Sequence, residues 1–212
     1  MKRQIREGNE IDKDEQRRPL TVSETLHTRS FWFLWTTWIL AGAAGVSMTV
    51  LSTGYGLSLG LPLEGAVLIL TAFNLTNGTG RLASGYFSDR LGRRRVMSLA
   101  FLAAGLAYFL FPLAGDLPTS AILAAVVGLS FGTLFSVSAP LVADCFGLDH
   151  FGAIFGLTFA AYGFLAGPLG PTLSGYLLDL NGGNFIPIFL YLGAFSLLAA
   201  LSIRQVVSPE RR

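Results

Sequence analysis

Long apolar stretches alternate with short polar breaks along the chain. Six stretches stand out, at residues 31–51, 66–87, 96–114, 120–143, 151–177 and 185–206. Crossing about 30 Å of hydrocarbon takes about 20 apolar residues in a helix, so each stretch is long enough to span a bilayer. The stretches are apolar all round rather than alternating, which excludes the strands of a barrel and leaves helices. The breaks fall where turn-forming residues gather, at 54–62, Gly92, 115–118, 147–149 and 181–184. The pattern predicts an all-α membrane protein with six transmembrane helices over 31–206, a charged tail over 1–30 and a short tail over 207–212. The first ~18 residues are polar and read as disordered. Thr21-Val22-Ser23-Glu24 then has the form of a capping box, with Thr21 as N-cap and Glu24 at N3, and predicts a short helix near 22–29. Trp32, Trp35 and Trp38 cluster at the entrance of the first span and read as an interfacial aromatic anchor.

Composition agrees and charge adds an orientation. The 212 residues are 52% hydrophobic and 13% charged, where a soluble domain carries about 25% charge. All fifteen Lys and Arg sit in three places. Seven precede the first span, five (Arg81, Arg90, Arg93, Arg94, Arg95) lie at or in the turn between spans two and three, and three (Arg204, Arg211, Arg212) end the chain. The other three loops carry only Glu64, Asp116 and Asp179. The positive-inside rule therefore places both termini in the cytoplasm of a multi-pass protein of the cell membrane. The net charge of +2, with no basic stripe interleaved with aromatics, argues for no nucleic-acid partner. The lone Cys145 excludes an internal disulfide and any Cys-rich metal site, and no cofactor is expected. The polar start predicts no cleavable signal peptide. His27 and His150 lie in cytoplasmic flanks, with His150 reading as a helix-start residue; neither forms a metal set or a nucleophile–base pair with Cys145.

Residues 85–95 read Gly-Tyr-Phe-Ser-Asp-Arg-Leu-Gly-Arg-Arg-Arg. Gly85 lets its helix approach a neighbour closely. Asp89, ending the second span, suits the positive N-terminus of a nearby helix. Gly92 permits a tight reversal, and the arginines can pair with a carboxylate. This G-x-x-x-D-R-x-G-R-R pattern, between the second and third of six spans, resembles the cytoplasmic turn of a major facilitator superfamily half.

The resemblance implies a gate latch built from Gly85, Asp89, Arg90, Gly92, Arg93 and Arg94. Asp89 would meet the start of the fifth helix, where Asp149 is a candidate N-cap. The basic residues would reach an acid at the end of the fourth helix, the position of Asp144. The fifth span adds to the likeness. Gly152, Gly156, Ala160, Gly163 and Gly167 form one small-residue face suited to close packing, and Gly167-Pro168-Leu169-Gly170-Pro171 is expected to kink or interrupt the helix.

A superfamily half is a 3+3 inverted repeat of six helices, and the whole carrier has two halves. The charged head leading into Phe31-Trp32-Phe33 and the pattern of the fifth span are similar to the C-terminal half of the oxalate/formate antiporter group of monocarboxylate-type carriers. The resemblance thus implies a second six-helix half as partner, as a separate chain or a second copy. Oxalate-handling members place cations in the cavity from the helices matching spans two and five. Here span five has none, and span two has only Arg81, one to two turns from the cytoplasmic turn. Oxalate is therefore not expected.

No ionisable residue falls at the centre of a predicted span, which argues against proton coupling in this half. Polar candidates for a substrate path are Thr71, Asn74 and Asn77, spaced to share one helix face, and Tyr162. Amides in lipid need partners, so this face is expected to point into the bundle. Ser130, Thr133 and Ser136 repeat on span four, where hydroxyls can bond to their own backbone. The expectation is a secondary transporter, or half of one, moving a small solute such as an organic anion by alternating access in the lipid bilayer. The alternative is a non-transporting membrane remnant or scaffold.

Overall fold

The computed structural model describes residues 19–207. They form helices and turns, with no strand among the described residues. Helix α1 is Val22–Leu26, α2 Arg29–Ser58, α3 Leu63–Leu91, α4 Arg93–Leu110, α5 Leu117–Phe146, α6 Phe151–Ala160, α7 Gly167–Leu180 and α8 Ile186–Gln205. A π-helical segment, Ala161–Ala166, joins α6 and α7 into one rod, so six long rods follow the short α1. The first 18 residues and the last five, including most of the expected tails, lie outside the described residues.

The six rods occupy the six apolar stretches, and all but the last overrun theirs at one end or both. The helices α2 and α5 are 30 residues each, about 45 Å long at 1.5 Å per residue. They are longer than the hydrocarbon is thick, so their ends reach the headgroups or the rods tilt. Five of the six rods are long and apolar enough to cross a membrane. Helix α3 is the exception by composition rather than length. Its 29 residues include Thr71, Asn74, Thr76, Asn77, Thr79 and Arg81 near the middle.

Local signals explain the ends. The Thr21 side chain accepts from the Glu24 N–H, and the Glu24 carboxylate accepts from the Thr21 N–H at 2.8 Å, which completes the capping box. Thr28 caps α2 by accepting from the Phe31 N–H, and Asp116 caps α5 by accepting from the Thr119 N–H at 2.9 Å. Hydrogen bonding to Thr119 holds the Asp116 carboxyl below its ordinary range. The reversal between α3 and α4 takes one residue, Gly92, at φ +92°. That backbone region disfavours any residue with a Cβ.

The core is aromatic and dense. Trp38, Phe73, Phe101, Tyr108, Phe111 and Phe189 are fully buried. Tyr55 Oη reaches the carbonyl oxygens of Phe111 and Ala114 at 3.0 and 2.8 Å, and Tyr108 Oη donates to Ala44 O at 2.7 Å. Trp38 departs from the anchor expected of it. It packs edge-to-face against Phe135 and Phe159 inside the bundle. Only Trp32 fits the anchor role: it is exposed, and its Nε1 donates to Leu26 O at 2.9 Å.

The tightest seam lies where the sequence did not point. The most extensive helix pair is α3 with α5. A Cβ on Gly128 would stand 2.1 Å from Phe73 O, and one on Gly132 would stand 2.3 Å from Asn77 O. This Gly-x-x-x-Gly lets the two backbones touch. The stripe expected to do so on the fifth rod does not. A Cβ on Gly152, Gly156 or Gly163 would meet nothing within 4 Å, and the same holds for Gly85. The fifth rod makes its close approach at Gly170 instead, where a Cβ would stand 2.4 Å from Ala43 O. It is also the least buried of the five apolar rods.

The Gly-Pro run acts one turn earlier than expected. Pro168 and Pro171 supply no N–H, so the carbonyls of Phe164 and Gly167 lose their ordinary α-helical donors. The ladder upstream loosens to the π form over 161–166, and the Gly167 N–H bonds to Tyr162 O, five residues back. The rod continues through both prolines rather than breaking.

Candidate functional site

Two regions gather the residues singled out above. The first lies at the Gly92 end of the bundle. Asp89, in the last turn of α3, pairs with Arg93, the first residue of α4, at 3.5 Å. The Arg93 Nε donates to the Asp144 carboxylate near the end of α5. One guanidinium thus ties α3 and α5 to the start of α4. The other arginines of the turn go elsewhere. The Arg90 guanidinium lies 4.1 Å over the Tyr86 ring, and Arg94 Nη1 donates to Val206 O at 2.6 Å beyond α8. A cavity of about 560 Å³ opens among residues 89–95, Leu141, Asp144 and Cys145.

This end also collects both ends of the described chain. Leu20 N–H donates to Phe146 O at 2.9 Å. Ser30 Oγ donates to Val207 O at 2.7 Å, and the Val207 N–H donates back to Ser30 Oγ at 3.1 Å. The basic residues of the turn, of the α2 entrance and of the α8 end therefore share one side of the bundle. The start of α6 differs in detail from expectation. Its N-cap is His150 rather than Asp149, and no side chain caps it. Among the described residues, Asp89 forms its ion pair with Arg93 and none with that helix start.

The second region is the polar middle of α3. Thr71 and Asn74 are exposed and Asn77 is half-buried, while α3 buries Ala66, Ile69, Phe73, Gly80, Ser84 and Ser88. The polar face thus points out of the six-rod unit, not into it. The reason is the Gly128–Gly132 seam, which claims the Phe73–Gly80 side of α3 for α5. Thr71 Oγ1 bonds to its own backbone at Val67 O, 3.0 Å away. On α5, Thr133 Oγ1 does the same with Leu129 O at 2.9 Å, while Ser136 Oγ reaches across to Ser84 Oγ at 2.8 Å.

Arg81 belongs to this face, although the spacing of polar residues did not single it out. Its Nε donates to Asn77 Oδ1 at 3.4 Å, and its guanidinium lies 5.0 Å over the Phe135 ring. That ring is also 5.3 Å from Tyr162, so Arg81, Asn77, Phe135 and Tyr162 form one surface. The sequence pattern puts Arg81 near the turn because the apolar stretch ends early. Helix α3 runs on to Leu91. Arg81 therefore sits ten residues from its end, roughly 15 Å inside, and one turn from the helix midpoint. No ionisable residue stands at the midpoint of α3, but Arg81 lies one turn from it. A guanidinium at such depth is costly unless it faces protein or a water-filled cavity.

The Major Facilitator Superfamily profile matches residues 33–212. The chain belongs to the Major Facilitator Superfamily. It is similar to the oxalate:formate antiporter of Oxalobacter formigenes, with 31% identity over 140 residues, 65% of this chain and 34% of that protein. It is similar to monocarboxylate transporter 13 of Rattus norvegicus, with 28% identity over 195 residues, 85% of this chain and 45% of that protein. Apicoplast pyruvate carrier 1 of Toxoplasma gondii matches with 31% identity over 170 residues, 74% of this chain and 30% of that protein. The chain spans less than half the length of these relatives. As a superfamily member it is a membrane protein of a transporter family, not an enzyme. The superfamily turn motif coincides with the Asp89–Arg93–Asp144 cluster. The polar face around Arg81 has no motif of its own, and only its isolated charge within an apolar stretch marks it.

Proposed function

We propose that this six-helix unit is half of a secondary transporter for small monocarboxylate anions, working by alternating access with a second six-helix unit. The observation that carries this reading is the Arg81–Asn77–Phe135–Tyr162 surface beside the middle of α3, with Arg81 exposed and the other three half-buried. An uncovered guanidinium and amide facing hydrocarbon is expensive. Covering them with a second unit turns the same groups into one wall of a midplane cavity. The open Gly152–Gly156–Gly163 face of the rod that carries Tyr162 offers that unit a close approach. The covering unit comes from the same longer protein, a separate chain or a second copy.

A single guanidinium matches a single carboxylate, with Asn77 and Tyr162 as neutral donors beside it. A dicarboxylate would leave its second charge unpaired against this half. The names of two relatives, a monocarboxylate transporter and a pyruvate carrier, agree with that class, whereas that of the oxalate:formate antiporter includes a dicarboxylate. The Asp89–Arg93–Asp144 cluster acts as the latch of the state closed on its own side. Its side is cytoplasmic by the positive-inside rule, in a plasma or inner membrane.

The test is uptake by cells that carry the gene at its own locus and by cells that lack it. Gene-dependent uptake of a short monocarboxylate, competed by other monocarboxylates and not by oxalate, is the expected result. Equal uptake by the two strains contradicts the reading and favours a non-transporting membrane protein.

A further inference from the structure

A second basic cavity shares Arg94 and Arg95 with the latch cavity, and nothing in the Arg81 surface uses it. It measures about 400 Å³ and is lined by Arg94, Arg95, Ser98, Leu99, Leu102 and Arg204. Helices α4 and α8, which pack along each other, form its walls. Three arginines line it, and its lining has no carboxylate among the described residues. The latch cavity next door is different, since Asp89 and Asp144 stand among its arginines. Arg94 is held in place by its bond to Val206 O at 2.6 Å, and Ser98 Oγ is fixed by donating to Ala200 O at 3.0 Å. Arg95 and Arg204 are exposed, and neither has a carboxylate partner among the described residues.

The apolar part of the lining has a direction. Arg95, Leu99 and Leu102 are spaced i, i+4 and i+7, so they lie on one face of α4. Leu99 and Leu102 are 61% and 43% exposed, and Leu106 and Leu110 continue the exposed stripe. On α8, Arg204 is followed toward the bundle middle by Leu201 and Leu198, both exposed. Each wall thus starts at an arginine and runs into leucines, about 10 Å from Arg95 to Leu102. A soluble anion would use the arginines and leave the leucine grooves idle. A molecule with an anionic head and apolar chains uses both.

We infer that Arg94, Arg95 and Arg204 bind the phosphate of an anionic phospholipid, whose acyl chains lie along the leucine stripes of α4 and α8. The inference rests on the membrane reading with the Gly92 end at the inner leaflet, and not on transport. The phosphate accepts from the free guanidinium N–H groups. A bound lipid would bridge α4 to α8 close to the latch.

The test uses the full chain purified in mild detergent. It is mixed with phosphatidylglycerol or phosphatidylcholine of the same acyl chains, and bound lipid is counted by native mass spectrometry. Wild type is expected to retain phosphatidylglycerol over phosphatidylcholine. Arg95→Gln with Arg204→Gln should cut that retention about thirtyfold, from about fivefold per basic side chain near a charged headgroup. Arg29→Gln removes one charge outside the cavity and should stay within about twofold of wild type. Arg95→Lys with Arg204→Lys keeps the charge and should keep the preference. Equal retention of the two lipids overturns the inference. So does an equal loss per charge removed at Arg29 and at the Arg95–Arg204 pair. Displacement of the lipid by inorganic phosphate in millimolar excess would mark a free-anion site and overturns it as well.

Discussion

Arg93→Gln should loosen the Gly92 end of the bundle, and the chain contains its own reporter. Arg93 pairs with Asp89 and donates to Asp144, with side-chain exposures of 23% for Arg93, 69% for Asp89 and 52% for Asp144. The exposed pair across the Gly92 reversal is worth about 0.5 kcal/mol, and the half-exposed pair about 1 kcal/mol at most. Together they bias any opening of this cluster by about 1–1.5 kcal/mol, or roughly five- to tenfold in population. Cys145, the single cysteine of the chain, lines the same cavity and is buried. Its alkylation rate follows the fraction of time the cavity is open. The expected result in proteoliposomes is about a five- to tenfold faster reaction for Arg93→Gln than for wild type. The chemistry makes the test stringent. Removing a cation beside a thiol disfavours the thiolate by itself, so an intrinsic effect would slow the reaction. A rate unchanged within about twofold, or reduced, refutes the latch.

Other outcomes follow from the same geometry. Gly132→Ala drives a methyl toward Asn77 O, 2.3 Å from its ideal place, and should cost about 1–3 kcal/mol as overpacking; thermal unfolding by circular dichroism checks it. Gly85→Ala, with nothing within 4 Å, should leave that transition unmoved. The Asp116 cap contributes stability above its ordinary value of 3.8, because its folded pKa is depressed. That contribution is lost only as pH falls from there through the lower folded value, so protection of the Thr119 amide from hydrogen exchange should persist to below pH 3.8. A cysteine placed at Arg90 in a Cys145→Ala background should react in sealed cells with a permeant maleimide and not with an impermeant one; impermeant labelling would reverse the orientation.

Much of the architecture was legible because helix length and turn chemistry are local. Each apolar stretch became a rod, Gly92 made the turn alone, and Thr21 with Glu24 formed their box. The packing faces were less legible. Glycines at four-residue spacing look alike in sequence whether they meet a backbone, as Gly128 and Gly132 do, or face open space, as Gly152 and Gly156 do. Only the tertiary arrangement separates them. The depth of Arg81 was hidden for a related reason. Hydropathy ends a span where polar residues begin, but α3 stays helical through its own charged end to Leu91. The orientation of Thr71 and Asn74 then follows from which side of α3 the α5 seam occupies, and no periodicity within α3 encodes that.

The Arg81 surface is the centre of the account, and one substitution addresses it. Uptake of a labelled monocarboxylate should be compared between cells with the wild-type gene and cells carrying Arg81→Gln at the same locus, at matched membrane abundance. Loss of a desolvated charge-assisted contact is worth about 2–3 kcal/mol, or roughly a 30- to 150-fold drop in apparent affinity. The account predicts a rise in KM of that order. An unchanged KM with uptake intact would contradict it and remove Arg81 from the substrate path.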